Sequence, residues 1–297
     1  MILMCKDLPV FDIIKREILN EALMPGAMLE GMSFESWAQH RKSVLSNVQA
    51  RKVYFAAFGY EAEDVADSRT HMLSLSDCYW QMDENENVTF KSISPYYTEF
   101  WDGEGNYNGG AIPTIYTPGV RSKYWIDKDR LCKLDCLEEL VAYELAVALD
   151  IPCNRIEPAG DITGIIVQNI TSADLMLEPA ICSGRFKGTF FPTVDEIVES
   201  FGDAGLTMLA FDAITGNTDR HLENLGFLRD SNTGEYLGMA PLFDFDNVLT
   251  ADGTDDPLLA QLPKAPVIEN LCERTLSVSQ HPVFCARARV ILDRYHS

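Results

Sequence analysis

Basic residues are scarce in this chain: 24 Lys and Arg stand against 45 Asp and Glu in 297 residues, a formal net charge of −21. A surface of that sign repels phosphate backbones and anionic headgroups, which argues against nonspecific binding to nucleic acid or to a membrane surface. Long apolar runs are missing too. No stretch approaches the roughly 20 residues that span a bilayer, and the opening run Met1 to Cys5 is cut by Lys6 and Asp7 before it can act as a secretory leader. The eight cysteines include no Cys-x-x-Cys pair, the closest being Cys132 and Cys136, so a zinc site is not expected. The compartment expected is the cytoplasm, with thiols reduced. Internal repeats, low-complexity tracts and a Gly-x-Gly-x-x-Gly loop are also absent.

What the chain does have is concentrated between Ala213 and Asp246, in AITGNTDRHLENLGFLRDSNTGEYLGMAPLFDFD. Asp219 and Asn224 have the separation of the catalytic-loop aspartate and metal-binding asparagine of protein kinases. Asp244 opens an Asp-Phe-Asp triplet where kinases carry Asp-Phe-Gly. Between them, apolar positions alternate around the turn-forming run Asp230 to Gly234, which predicts a β-hairpin. A turn centred on Asn232 and Thr233 pairs Asp230 with Glu235 and Leu228 with Leu237, and sets Asn224 opposite Pro241. Asp244 then falls just past the hairpin's end, so two hard oxygen ligands suited to Mg²⁺ meet at one spot. Upstream, Leu206 to Thr215 is apolar nearly all round and ends at Gly216 and Asn217, which predicts a buried helix delivering Asp219 into a loop. The triplet Asp219, Arg220 and Glu223, taken alone, equally describes a solvated turn held by ion pairs.

The run GNTDRHLENLGFL followed by APLFDFDN resembles the catalytic segment of the HipA-like serine/threonine kinases of bacteria. That family is itself similar to the phosphatidylinositol kinases, which share the Asp-Arg-His order. LSLSDCYWQ at 73–81 extends the resemblance over most of the chain. It implies an α/β (α+β) two-lobed protein-kinase-like fold, with a small β-rich amino-terminal lobe and a mainly helical carboxy-terminal lobe. The boundary expected lies near Gln168: residues 1–168 as extension plus nucleotide-binding lobe, 169–297 as catalytic lobe. The resemblance further implies Asp219 as catalytic aspartate, with Asn224 and Asp244 as Mg²⁺ ligands. His221 would contact a phosphate or pair with a carboxylate. Asp246 stands in the place of the kinase glycine.

A kinase also needs a lysine on the nucleotide phosphates, and Lys133 is the candidate, on a strand with Leu131, Cys132 and Leu134. Residues 137–149 follow as an amphipathic helix with Leu137, Leu140, Val141, Leu145 and Ala148 on one face. The resemblance makes Glu139 the partner that orients the lysine, whereas periodicity places Glu144 inside the apolar stripe and Glu139 opposite it. Both remain open at the level of sequence. The phosphate-covering loop falls at Thr117 to Lys123, where Gly119 is the only glycine and Thr117 or Ser122 offers a phosphorylation site. The base is expected against the segment that follows the strand Gly164 to Gln168, at Val167, Gln168, Asn169 and Ile170.

Other elements are less tied to chemistry. Thr193 to Glu196 reads as a capping box, Arg287 to Tyr295 as a terminal helix, and Phe11 to Leu23 and Phe34 to Val44 as helical patterns. Tyr79-Trp80 and Tyr124-Trp125 read as core aromatics. The acidic run at 252–257 occupies the place of an activation segment and suits basic protein substrates. The expectation is a kinase dependent on Mg²⁺ and ATP that phosphorylates serine or threonine of a protein, itself included. A small-molecule or lipid kinase, a nucleotide-binding regulator without transfer, and an enzyme that transfers AMP are the alternatives. The toxin role of some family members does not follow from a shared fold, because function resides in the site and its substrate.

Overall fold

The computed structural model describes residues 1–41, 71–83, 85–97, 123–160, 163–187, 190–245, 247–248, 259 and 261–296. Gly109 and Gly110, Thr117 to Ser122 with Gly119, Val44, Asp246 and the acidic run at 252–257 lie outside them.

Strands β1 (Ile2–Cys5), β2 (Leu8–Asp12), β3 (Glu17–Ile18) and β4 (Tyr79–Met82) form an antiparallel sheet in the order β3-β2-β1-β4. Phe11 to Leu23 is therefore not a helix. Asp12 Oδ1 accepts the N–H groups of Ile14 and Lys15 at 3.1 and 2.9 Å, and Arg16 takes a φ of 56°, so the chain turns back before a helical turn can close. Short helices α1 (Gly26–Leu29) and α2 (Phe34–His40) follow, the second started by Ser33, whose hydroxyl accepts the Ser36 N–H. Helix α3 (Phe90–Ile93) comes after β4, in which Trp80 is fully buried.

The next sheet contains β5 (Lys123–Asp127), β6 (Arg130–Leu134), β7 (Ile156–Pro158) and β8 (Gly164–Gln168), all antiparallel, in the order β5-β6-β8-β7. Helix α4 (Glu138–Ala148) is inserted between β6 and β7 and packs on β7. This sheet and helix form the small lobe. A third sheet, β9 (Leu175–Pro179), β10 (Gly226–Asp230) and β11 (Tyr236–Met239), has the order β11-β10-β9.

Among the described residues four further helices are α5 (Val194–Phe201), α6 (Asp203–Thr215), α7 (Pro266–Val278) and α8 (Pro282–His296). The Thr193–Glu196 capping box is present at the start of α5. Helix α6 is the core of this lobe, buried from Leu206 to Thr215 apart from a half-buried Thr207, and packed by α5, α7 and α8. It stops at Gly216, whose φ of 72° is the left-handed geometry that glycine accepts without strain. Arg287 of α8 is buried and donates to the Ala213 carbonyl at 2.6 Å, which fixes the end of α6.

The segment that follows β3 is bonded to the third sheet. Buried Arg229 of β10 donates to the carbonyls of Met24 and Ala22, each at 2.8 Å, and to Glu178 Oε2 of β9 at 2.8 Å. Glu178 Oε1 in turn accepts from the Gly26 N–H and the Tyr236 hydroxyl.

Candidate active site

Helix α6 ends at Thr215, and the loop that follows places Asp219 at the mouth of a cavity of about 620 Å³. The cavity is lined by Lys133, Asp219, Asn224 and Asp244, and also by Val167, Gln168, Asn169 and Ile170. Residues separated by more than a hundred positions in sequence thus face one space.

Lys133 of β6 is the centre of an ion-pair cluster. Its Nζ lies 2.6 Å from Glu139 Oε1 and 2.6 Å from Asp244 Oδ1. Of the two glutamates weighed from sequence, Glu139 meets the lysine and Glu144 is exposed. The helix face inferred from periodicity is corrected accordingly. The buried residues of α4 are Glu139, Ala142, Leu145 and Ala146, while Leu137 is 45% exposed and Ala148 is exposed. The buried residues lie on one face, turned from the predicted stripe so that it includes Glu139, and the buried carboxylate is tolerated because a cation meets it. Burial pulls the Lys133 ammonium down, but the carboxylates of Asp244 and Glu139 outweigh it and hold the group above its ordinary value. Burial likewise pushes Asp244 up, and Lys133, with Lys123 and Arg220, overrides it and holds the carboxyl well below the usual range.

Asp219 is 40% exposed, with Oδ2 accepting from the Asn247 amide at 3.0 Å and 3.8 Å from His221 Nε2. His221 stacks on Phe190 with ring centroids 4.3 Å apart. Asn224 donates its side-chain N–H to the Asp219 carbonyl at 3.1 Å, which leaves its amide oxygen as the group presented to the cavity. Asp244 gives Oδ1 to Lys133, leaving Oδ2 for a cation. One amide oxygen and one carboxylate oxygen suit Mg²⁺, which takes few protein ligands and completes its octahedron with water and phosphate oxygens. Among the described residues no cluster of three or more His, Cys, Asp or Glu gathers at one point, so an all-protein metal cage is not what this site offers.

Sequence reasoning missed the group that holds these parts together. Arg220 is buried and bidentate to Asp212 of α6, both contacts at 2.9 Å. Its remaining nitrogen donates to the carbonyls of Asn224 at 2.6 Å and Phe243 at 2.9 Å. Asp219, Arg220 and Glu223 are therefore no solvated turn. Asp212, the one charge in the apolar run from Leu206 to Thr215, was the available signal.

The hairpin between the segments that carry Asn224 and Asp244 differs by one residue from the predicted register. Asp230 N–H does bond the Glu235 carbonyl at 2.9 Å, but a bulge follows, and Leu228 pairs with Gly238 instead of Leu237. Gly238, at φ 127°, takes up the extra residue. Continued, this register sets Asn224 opposite Leu242 instead of Pro241. In the segment Val167 to Ile170 most backbone donors are already used. The N–H groups of Gln168 and Asn169 are taken by the carbonyls of Arg155 and Asp129 at 2.9 and 2.7 Å. The Asn169 amide nitrogen serves the carbonyls of Lys128 and Leu75. Ile170 is then the first residue of the segment whose N–H is uncommitted among the described residues.

No family model matches this chain, and no curated protein matches it. Among solved structures, HipA of Shewanella oneidensis MR-1, determined with HipB and operator DNA, is similar over 99% of this chain and 96% of its own, with a TM-score of 0.56 and 12% identity. The Helicobacter pylori proinflammatory kinase CtkA aligns with 62% of this chain and 94% of its own, with a TM-score of 0.41 and 16% identity. The chain has a two-lobed, kinase-like α/β fold, shared along its length with HipA. No helix among the described residues is long and apolar enough to cross a membrane.

Proposed function

We propose that this protein transfers the γ-phosphoryl group of ATP to a serine or threonine hydroxyl of a protein, its own chain included. The observation that carries the reading is the meeting of Lys133, Glu139 and Asp244 in one buried cluster, at a cavity that also receives Asp219 and Asn224. Lys133, oriented by Glu139, binds the nucleotide phosphates. Asn224 and Asp244 would hold Mg²⁺, which would supply positive charge against the nucleotide phosphates. Asp219, steadied by Asn247, orients the acceptor hydroxyl and takes its proton as the oxygen bonds to phosphorus and ADP departs. The base lies against Val167 to Ile170.

Intact-mass spectrometry after incubation with Mg²⁺ and ATP, with Asp219→Asn alongside, tests this. The expected result is a gain of about 80 Da per transferred group in the wild type only. Equal gain in Asp219→Asn removes the role given to that residue, and a gain of AMP mass replaces phosphoryl with nucleotidyl transfer.

A further inference from the structure

Asn154 lines the cavity that receives Asp219 and Asp244, and its buried amide oxygen has no hydrogen-bond partner among the described residues. An amide oxygen taken out of water without a donor is costly, so such an atom points to a donor supplied from outside the chain. The backbone fixes where this side chain stands. The Asn154 N–H bonds the carbonyl of Leu242, two residues before Asp244, at 2.9 Å. The carbonyl of the next residue, Arg155, accepts the Gln168 N–H at 2.9 Å. Asn154 therefore sits where the Asp244 segment and the segment Val167 to Ile170 converge. Trp125, Leu131 and Val167 are directly paired across β5, β6 and β8, so they share one sheet face, and all three line the same cavity. They form an apolar wall suited to one side of a flat ring. Ile156 of β7 pairs with Val167 and continues that row, and Asn154 precedes Ile156 by two residues. A polar group is thus set at the edge of an apolar wall.

A base whose ring nitrogen accepts the Ile170 N–H turns another edge toward Asn154. An asparagine amide carries one acceptor and one donor side by side, which matches the adenine edge where the 6-amino group donates and N7 accepts. Guanine presents two acceptors there, O6 and N7, and leaves the amide oxygen unpaired. The final torsion of asparagine is broad, so rotation about it brings the oxygen to the cavity. We propose that Asn154 is a base-reading residue, which binds the 6-amino and N7 edge of adenine and selects ATP over GTP. The inference rests on the kinase reading and adds a residue that the motif spacing does not contain.

The test is calorimetry in Mg²⁺ with non-hydrolysable analogues of ATP, 7-deaza-ATP and GTP, on wild type, Asn154→Leu and Asn154→Asp. The 7-deaza ring keeps the amino group and carries C–H in place of N7. Wild type is expected to bind the ATP analogue about tenfold or more tighter than the GTP analogue, the scale of one bidentate amide–base pair. Asn154→Leu should narrow that preference to within about threefold, while the ligand-free melting temperature holds or rises because a buried unpaired oxygen has gone. Asn154→Asp still accepts from the amino group but sets a second acceptor against N7, so it should bind the 7-deaza analogue tighter than the ATP analogue, the reverse of wild type. A merely structural asparagine does not reverse that order. Equal losses on all three ligands in both variants, with a lower melting temperature, overturn the proposal. So does a wild-type preference retained in Asn154→Leu. Wild-type protein that binds none of the analogues overturns the kinase reading and this inference with it, whereas wild type that binds adenine and guanine analogues equally overturns this inference alone.

Discussion

Asp244 is held by its neighbours in two ways. Its φ of 61° is left-handed, a conformation that costs a non-glycine residue about 1–2 kcal/mol, and its carboxylate is clamped by Lys133 at 2.6 Å. A carboxyl whose folded pKa is depressed adds stability above its unfolded pKa of about 3.9 and loses it as pH falls toward the folded value. Wild type should therefore lose stability more steeply than Asp244→Asn below about pH 4, read from urea midpoints across pH. Parallel curves would remove Asp244 from the acid response. Lys133, raised by its carboxylates, adds stability that is complete below about pH 10 and fades only above, so it is silent in that window. Arg220 supports the second expectation. Arg220→Ala leaves Asp212 buried without its cation and frees the Asn224 and Phe243 carbonyls, at a cost of about 3–5 kcal/mol. An unchanged denaturation midpoint would show that the clamp contributes nothing.

At the scale of the element, helix α4 shows how packing overrides periodicity. Glu139 and Glu144 are five residues apart, and the one placed by the 3.6-residue repeat on the apolar side is the exposed one. The strand that carries Lys133 decides which side of the helix needs a carboxylate. Glu139→Gln is expected to lower phosphoryl transfer by about tenfold or more, the scale of one charge-assisted contact. Glu144→Gln should leave both transfer and stability within about 0.5 kcal/mol of wild type. The reverse ranking would detach the helix from the site. The hairpin of β10 and β11 shows a different limit. Its turn is read correctly from Asp230 to Gly234, yet one bulged residue displaces every later pair.

The whole molecule is organised around attachment of the amino-terminal sheet to the β9-β10-β11 sheet. Arg229 and Glu178 carry the polar part of that joint, and Gly234 carries the steric part. At φ 77°, Gly234 lies so close to the Ala22 carbonyl that a Cβ would overlap it. Gly234→Ala is expected to destabilise by more than about 1 kcal/mol, combining backbone strain with a forced displacement of the amino-terminal segment. A rise in melting temperature would show the two sheets to be loosely joined. The same joint brings Arg41, Leu75 and Asp77 to the cavity wall, so the amino-terminal unit belongs to the site's surroundings. Leu75 offers its carbonyl to Asn169 and Thr171, beside the segment assigned to the base.

Local chemistry made much of this protein legible in the sequence. Alternation and turn residues marked the hairpin, glycine marked the end of α6, Thr193 and Glu196 marked the start of α5, and the spacing of Asp219, Asn224 and Asp244 singled out side chains that share one cavity. Those signals depend on bonds within a few residues, which the chain carries wherever it folds. The partner of Lys133, the burial of Arg220 and the docking of the amino-terminal sheet were decided only by tertiary structure. Each joins groups that spacing does not relate, and burial sets its energy, because a charge removed from water must find an opposite charge that only the folded chain brings near.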